Sequence, residues 1–277
     1  MNGRKAFTLV ELLVVIAIIA LLMAILMPAL SRVKEQGRMV KCLANMKQWN
    51  LIAAMYTEEN GGKFWPSDRD TPCYWWIKYI EDKYKDWKAN KLWFCPSAQK
   101  PETDERGVTT AVLNIYNAWG IYKDTGRNGI AGSYGINGYV LIPYPPGGGA
   151  TTYEGGVSVQ NGWKTAGAAG SNNIPVFTEA LRFDLWPLDG TADRNNCAPA
   201  ASEFAAWSGN NMGRCCINRH QGFVSTAFMD FSARKVALKE LYTLKWHRAF
   251  NTGGPWTKAG RVTPTMWPKW IRNFPDY

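Results

Sequence analysis

Residues 12–31 read LLVVIAIIALLMAILMPALS, twenty consecutive positions without a charged side chain. At about 1.5 Å per residue such a run makes a helix of roughly 30 Å, the thickness of a bilayer's hydrocarbon core. The remainder is polar, Gly-rich and Trp-rich, so whole-chain averages describe neither part. Hydrophobic residues make up 46 % of the 277 and charged residues 19 %, a balance that excludes a disordered chain. Six cysteines are too few for a disulfide-built scaffold of this length. A secretory signal would have an apolar region of about 7–15 residues ending in a small-residue cleavage site, and nothing resembling A-x-A follows Ala29. Glu11 lies just inside the apolar segment. A carboxylate in apolar surroundings is costly and by default marks a function, the bland alternative being a charge solvated among lipid headgroups.

The helical signal continues past Ser31. Met39, Cys42, Met46, Trp49, Ala53 and Tyr56 recur at alternating spacings of 3 and 4, one stripe of an amphipathic helix. Arg38, Lys41, Lys47 and Glu58 occupy the other side, and Asn60-Gly61-Gly62 is a strong stop. A helix over 7–58 would be roughly 78 Å long. Its first half suits lipid or a filament core, and its second half suits burial against a head.

The head, residues 61–277, is punctuated by Gly and Pro, as in Pro143-Tyr-Pro-Pro-Gly-Gly-Gly149. Strand character falls at Ala111–Tyr116, Tyr139–Ile142, Ile174–Thr178, Phe223–Met229 and Lys235–Leu238, while 75–84 reads as a short helix. No 20- to 50-residue repeat argues for a solenoid or propeller. The expected fold class is α+β: a long N-terminal helix packed on an antiparallel sheet with long loops.

Met1-Asn-Gly-Arg-Lys-Ala6 followed by Phe7-Thr-Leu-Val-Glu11 resembles the processing site of type IV prepilins and type II secretion pseudopilins. In that family a basic leader is cut before a Phe by a membrane peptidase, which also methylates the new N-terminus. The resemblance implies cleavage between Ala6 and Phe7, with Ala6 standing where Gly is usual, and N-methylation of Phe7. Glu11 becomes the fifth mature residue, where the family has Glu, and Pro28 the twenty-second, where these helices often carry Pro. Glu11 of one subunit would pair with the Phe7 amine of its neighbour, because an unpaired carboxylate in low dielectric is penalised and a paired one much less so. Pro28 removes a helix hydrogen bond, offering a kink or local melting point, or simply a tolerated irregularity.

The resulting organisation is a leader (1–6), a transmembrane helix (7–31), an amphipathic stalk (32–60) and an exported head (61–277). Basic residues flank the span on both sides, so charge does not set the orientation. The resemblance implies a single-pass inner-membrane protein with a cytoplasmic N-terminus and a periplasmic head, later part of a filament. Its implied partners are the prepilin peptidase/methyltransferase, other pilin-like subunits, the inner-membrane assembly platform and the membrane itself.

Asn218-Arg-His-Gln-Gly through Asp230 resembles the C-terminal H-x9-D-G pattern of a bacterial pseudopilin-like subfamily, with Phe231 where the pattern has Gly. Leu92-Trp-Phe-Cys-Pro-Ser97 and Ser133-Tyr-Gly-Ile-Asn137 resemble further segments of it. Read from the residues, His220 braces a loop and Asp230 bonds its own backbone at a hairpin turn. The functional alternative is a catalytic pair or metal ligands, although with only His220 and His247 present a multi-His metal site is impossible.

No C-x-x-C occurs among Cys42, Cys73, Cys95, Cys197, Cys215 and Cys216, which speaks against a zinc ribbon or thioredoxin-type site. In an exported head disulfides are permitted. Cys42 with Cys95 is the preferred bridge, stapling stalk to head, and buried free thiols are the alternative. Adjacent Cys215 and Cys216 should reach different partners.

The net charge of +10 invites a nucleic-acid reading. Arg4 and Lys5 leave with the leader, however, and Arg32, Lys34, Arg38, Lys41 and Lys47 cluster where anionic headgroups would lie. No basic run with interleaved aromatics forms a groove, so no nucleic-acid partner is expected. Asp184, Asp189 and Asp193 around Gly190 are weak calcium candidates in no EF-hand pattern, and no other cofactor is expected. Fourteen Trp, including Trp75-Trp76, Trp256, Trp267 and Trp270, supply core area or a sugar-binding platform.

Three functions follow. The leading one is a non-enzymatic pilin-like subunit of a type II secretion or type IV pilus-like filament. The alternative is a membrane-tethered, Trp-rich carbohydrate-binding module. The third, an exported hydrolase using an acidic pair and His220, lacks a G-x-S-x-G elbow or H-E-x-x-H motif.

Overall fold

A computed structural model describes residues 8–67, 76–77, 80, 91–101, 114–120, 131–143, 151–153, 156–204 and 212–277. The expected cleavage site at Ala6 and Phe7, Cys73, Trp75, most of the 75–84 helix, the strand start at 111–113 and the 144–149 loop lie outside the described residues.

The chain begins with one 51-residue helix, α1 (Leu9–Glu59). Thr8 caps it: its hydroxyl accepts from the Glu11 amide while the Glu11 carboxylate accepts from the Thr8 amide, a reciprocal capping box. The helix runs on through Pro28 and stops at Asn60, where Gly61 and Gly62 adopt positive φ and the Gly62 amide donates back to the Thr57 carbonyl. From Leu9 to Leu30 the large apolar side chains are exposed. Burial begins at Cys42 and continues through Asn45, Met46, Trp49, Asn50, Ala53 and Thr57, one face of the helix. Met39 and Tyr56, the two ends of the expected stripe, are half-buried.

Among the described residues nine short strands follow: β1 (Pro66–Ser67), β2 (Lys100–Pro101), β3 (Asn117–Ala118), β4 (Tyr134–Asn137), β5 (Ile142–Pro143), β6 (Pro175–Glu179), β7 (Asp184–Leu185), β8 (Phe223–Phe228) and β9 (Ala233–Ala237). The central sheet has the order β7-β4-β6-β8-β9, and β1–β5 and β2–β3 form two minor parallel pairs. The fold is α+β, as expected, with α1 packed across β8, β9 and β6.

The sheet is mixed rather than purely antiparallel, because β7 runs parallel to β4. After β6 the chain crosses β4 and pairs on its far side. The crossing requires Gly135 in β4, since a Cβ there would collide with the Arg182 carbonyl of the connection. Gly138, just past β4, likewise leaves room for the face of Trp186. Strand β4 was not foreseen, and Tyr139–Ile142 is a 3₁₀ turn (Gly138–Val140) leading into β5 rather than one strand.

The β8–β9 hairpin turns at Met229–Ser232. Asp230 Oδ1 accepts from the Ser232 amide at 2.9 Å, and Phe231 takes the left-handed conformation (φ 62°) that Gly would occupy more easily.

The core is built on indoles. Trp49 of α1 meets Trp93, Trp76 and Phe177 at ring-centroid distances of 4.8, 5.3 and 5.7 Å. Such edge-on and tilted pairs add to the area they bury. All described Trp are buried except Trp270, which is half-buried and donates to the Ala200 carbonyl.

Candidate functional site

Two regions carry chemistry beyond packing: the exposed N-terminal half of α1, and a polar cluster buried where the second half of α1 meets the head.

In the first, Glu11 Oε2 accepts from the Thr8 amide at 2.8 Å and the Thr8 hydroxyl at 2.7 Å. The Thr8-x-x-Glu11 spacing is a capping-box signature that was open to view in the sequence. Glu11 therefore has a local role in starting the helix, and it is fully on the surface of this single chain. Pro28 sits mid-helix on the same exposed segment.

In the second, four elements converge. On α1, Glu35 and Cys42 stand two turns apart on one face. Cys95 follows the 3₁₀ turn Lys91–Trp93, which is tied to α1 by Asn45: its Nδ2 donates to the Phe94 carbonyl and to the Tyr134 hydroxyl, both at 3.0 Å. Glu179 ends β6 opposite Tyr134, and its Oε1 accepts from the Ser225 amide (3.1 Å) and hydroxyl (2.6 Å) on β8. His220 precedes β8 on a loop turned by Gln221 and Gly222, both at positive φ, with the Gly222 amide donating to Asn218 Oδ1.

His220 Nε2 lies 3.5 Å from Cys42 Sγ, 3.3 Å from Cys95 Sγ and 3.2 Å from Glu179 Oε1. Its other nitrogen, Nδ1, is 2.5 Å from Glu35 Oε1, and Glu35 also pairs with Arg38 at 3.2 Å. One ligand atom each from Cys42, Cys95, Glu179 and His220 falls within 4.8 Å of all the others, the one such group of metal-ligating side chains among the described residues. Beside it Arg219 is buried, its guanidinium donating to the carbonyls of Ile115, Asn117, Ser133 and Ala180.

The electrostatics are strongly coupled. Burial pulls the His220 imidazole down, but the Glu179 carboxylate and hydrogen bonds to Cys95 and Glu179 outweigh it and lift the group to about 11. Burial raises Glu179, yet His220, Arg219 and Ser225 hold it at about 2. Burial likewise raises Cys95, which hydrogen bonds from Cys42 and His220 and the Arg219 charge bring down to about 7. Cys42 is pushed far up, first by burial and then by its bond to Cys95 and the Glu179 charge.

The structure thus places Cys42 beside Cys95, each as a free thiol. Two chemistries suit such a pair: a sulfur–sulfur bond, or joint ligation of a metal ion. It does not bring His220 and Asp230 together, since Asp230 serves its own turn and His220 faces Cys42, Cys95 and the two glutamates. The three aspartates proposed for calcium have separate partners. Asp184 is buried against Arg182 (2.7 Å) and Trp186 Nε1 (2.8 Å), Asp189 accepts from the Thr191 and Asn251 amides, and Asp193 caps the turn Arg194–Cys197. Cys197, Cys215 and Cys216 are buried thiols, the last two reaching different carbonyls, Met212 and Leu238. Glu35 and Glu179 went unrecognised in the sequence because no motif links them to the cysteines.

Among known proteins, residues 1–27 match the family model of the prokaryotic N-terminal methylation motif, the signal of type IV pilin-like proteins. No curated protein and no solved structure matches the chain. The motif supports a type IV pilin-like precursor in general and suggests a structural subunit. Processing by a prepilin peptidase and association with other pilin-like subunits go with it. The apolar helix that the motif runs into fits a single-pass membrane anchor.

Proposed function

We propose that this chain is the precursor of a pilin-like or pseudopilin subunit, cut between Ala6 and Phe7, N-methylated on Phe7, and assembled into a periplasmic or surface filament. The system served is of the type II secretion or type IV pilus-like kind, with the N-terminus cytoplasmic, the head periplasmic and an inner-membrane platform driving assembly. One observation carries the reading: the methylation motif runs into a continuous helix, Leu9–Glu59, whose first half exposes apolar side chains and whose second half is locked into the head. That arrangement suits a subunit held first by lipid and then by its own kind. In this reading Glu11 exchanges or shares its Thr8 bonds with a neighbour's terminal amine. Of the tryptophans offered for a carbohydrate platform, Trp76, Trp256 and Trp267 are core residues and Trp270 is half-buried, which favours the filament reading.

N-terminal mass analysis of the protein from membranes tests the reading. A chain beginning at N-methyl-Phe7 supports it, and an intact Met1 overturns it. Glu11→Gln should leave cleavage in place and abolish filament incorporation, so an unchanged filament yield would count against the role of Glu11.

A further inference from the structure

We infer that Cys42, Cys95, Glu179 and His220 are the four protein ligands of a buried, tetrahedral zinc-class ion that clamps α1 to the head. Three groups converge on the same atom, His220 Nε2, at 3.2–3.5 Å. A ring nitrogen has one hydrogen or one lone pair and satisfies one partner well, not three. Donors placed around a shared centre account for the convergence. A tetrahedral site with metal–ligand lengths of 2.0–2.3 Å has ligand–ligand edges of about 3.3–3.8 Å, close to the three separations at His220 Nε2, while all four donor atoms lie within 4.8 Å of one another.

The surroundings agree. Glu179 is fully buried, and while Ser225 holds its Oε1, its Oε2 has no hydrogen-bond partner among the described residues. A buried carboxylate with one oxygen left so is costly unless a nearby cation offsets its charge. His220 presents Nδ1 to Glu35, the carboxylate–histidine arrangement that orients an imidazole for metal binding through its other nitrogen. Two thiolates and one carboxylate around a divalent ion leave one negative charge, which buried Arg219 offsets. Paired sulfur ligands select a borderline-soft ion over calcium or magnesium, and four protein ligands leave no open position, so the role is structural. The ligands come from α1, the 3₁₀-turn segment, β6 and the loop before β8, so one ion joins three segments of the head to the stalk. This site stands independently of the filament reading.

The test uses the full-length chain, purified in detergent without metal-affinity resin. Elemental analysis should find one zinc per chain, and zinc X-ray absorption should show two sulfur and two nitrogen or oxygen neighbours. Cobalt(II) exchanged into the wild-type protein should give the intense visible bands of a tetrahedral site and a thiolate charge-transfer band. These readouts need no variant to fold. Glu35→Gln, which keeps all four ligands, should weaken zinc binding about 10–100-fold. A Cys42–Cys95 disulfide in the isolated protein, a metal-free chain with both thiols reactive on unfolding, or zinc bound through nitrogen and oxygen alone would each overturn the proposal.

Discussion

The two halves of α1 share a backbone and differ in almost everything else. Between Leu12 and Leu30 the helix is apolar on all sides and, among the described residues, packs against nothing in its own chain. From Cys42 to Thr57 it is amphipathic, and its buried face carries Asn45, Asn50 and Thr57 as well as apolar side chains. A helix apolar all round has no preferred face and suits a solvent without direction, such as lipid or a ring of like helices. A helix with one face built of Trp49, Met46 and bonded asparagines specifies one partner surface and one register. The lesson is that apolarity alone makes an anchor, while shape and polar matching make a joint.

The largest effect that would sharpen this contrast is at the joint. Trp49→Ala removes the indole at the centre of the aromatic cluster and its Nε1 bond to the Leu92 carbonyl. It should cost about 3–5 kcal/mol of head stability, read from denaturant melts of the full chain in detergent. A smaller loss, about 1–3 kcal/mol, is expected for Asn45→Ala, which removes the amide donor that the buried Phe94 carbonyl and Tyr134 hydroxyl accept from. Melting midpoints with unchanged denaturant slopes would assign that loss to the native joint. In the head alone, Phe231→Gly should stabilise by about 0.5–1 kcal/mol by relieving the left-handed Phe of the β8–β9 turn. Smallest of all, Leu21→Ala, at a site 65 % exposed, should leave the head melt within about 0.5 kcal/mol. A Leu21 effect as large as that of Trp49 would break the comparison, because it would mean the anchor half also packs on the head.

Much of the joint was legible beforehand. The 3- and 4-residue spacing of Cys42, Met46, Trp49 and Ala53 marked the buried face, since helical period is a property of local sequence. Strands β6, β8 and β9 were visible in their β-branched and aromatic runs. Strand β4 was not, because Gly135 reads as a turn residue and its reason, passage of the Arg182 backbone, lies far along the chain. Cys42 and Cys95 were paired on the idea of a staple between stalk and head. Glu179 could not be paired with them, because a glutamate at a strand end is usually solvated and no spacing rule connects it to a helix 137 residues earlier.

By itself, then, the sequence determined the membrane-length helix, its stop at Asn60-Gly61-Gly62 and the face it buries. These depend on neighbours within a few turns, where propensity, capping and period act directly. Only the tertiary structure decided that β7 crosses β4 to make a mixed sheet, and that Glu35, Cys42, Cys95, Glu179 and His220 meet in one buried cluster. Those outcomes depend on contacts between residues distant in the chain, which are set by how the layers close over the indole core and not by any local pattern.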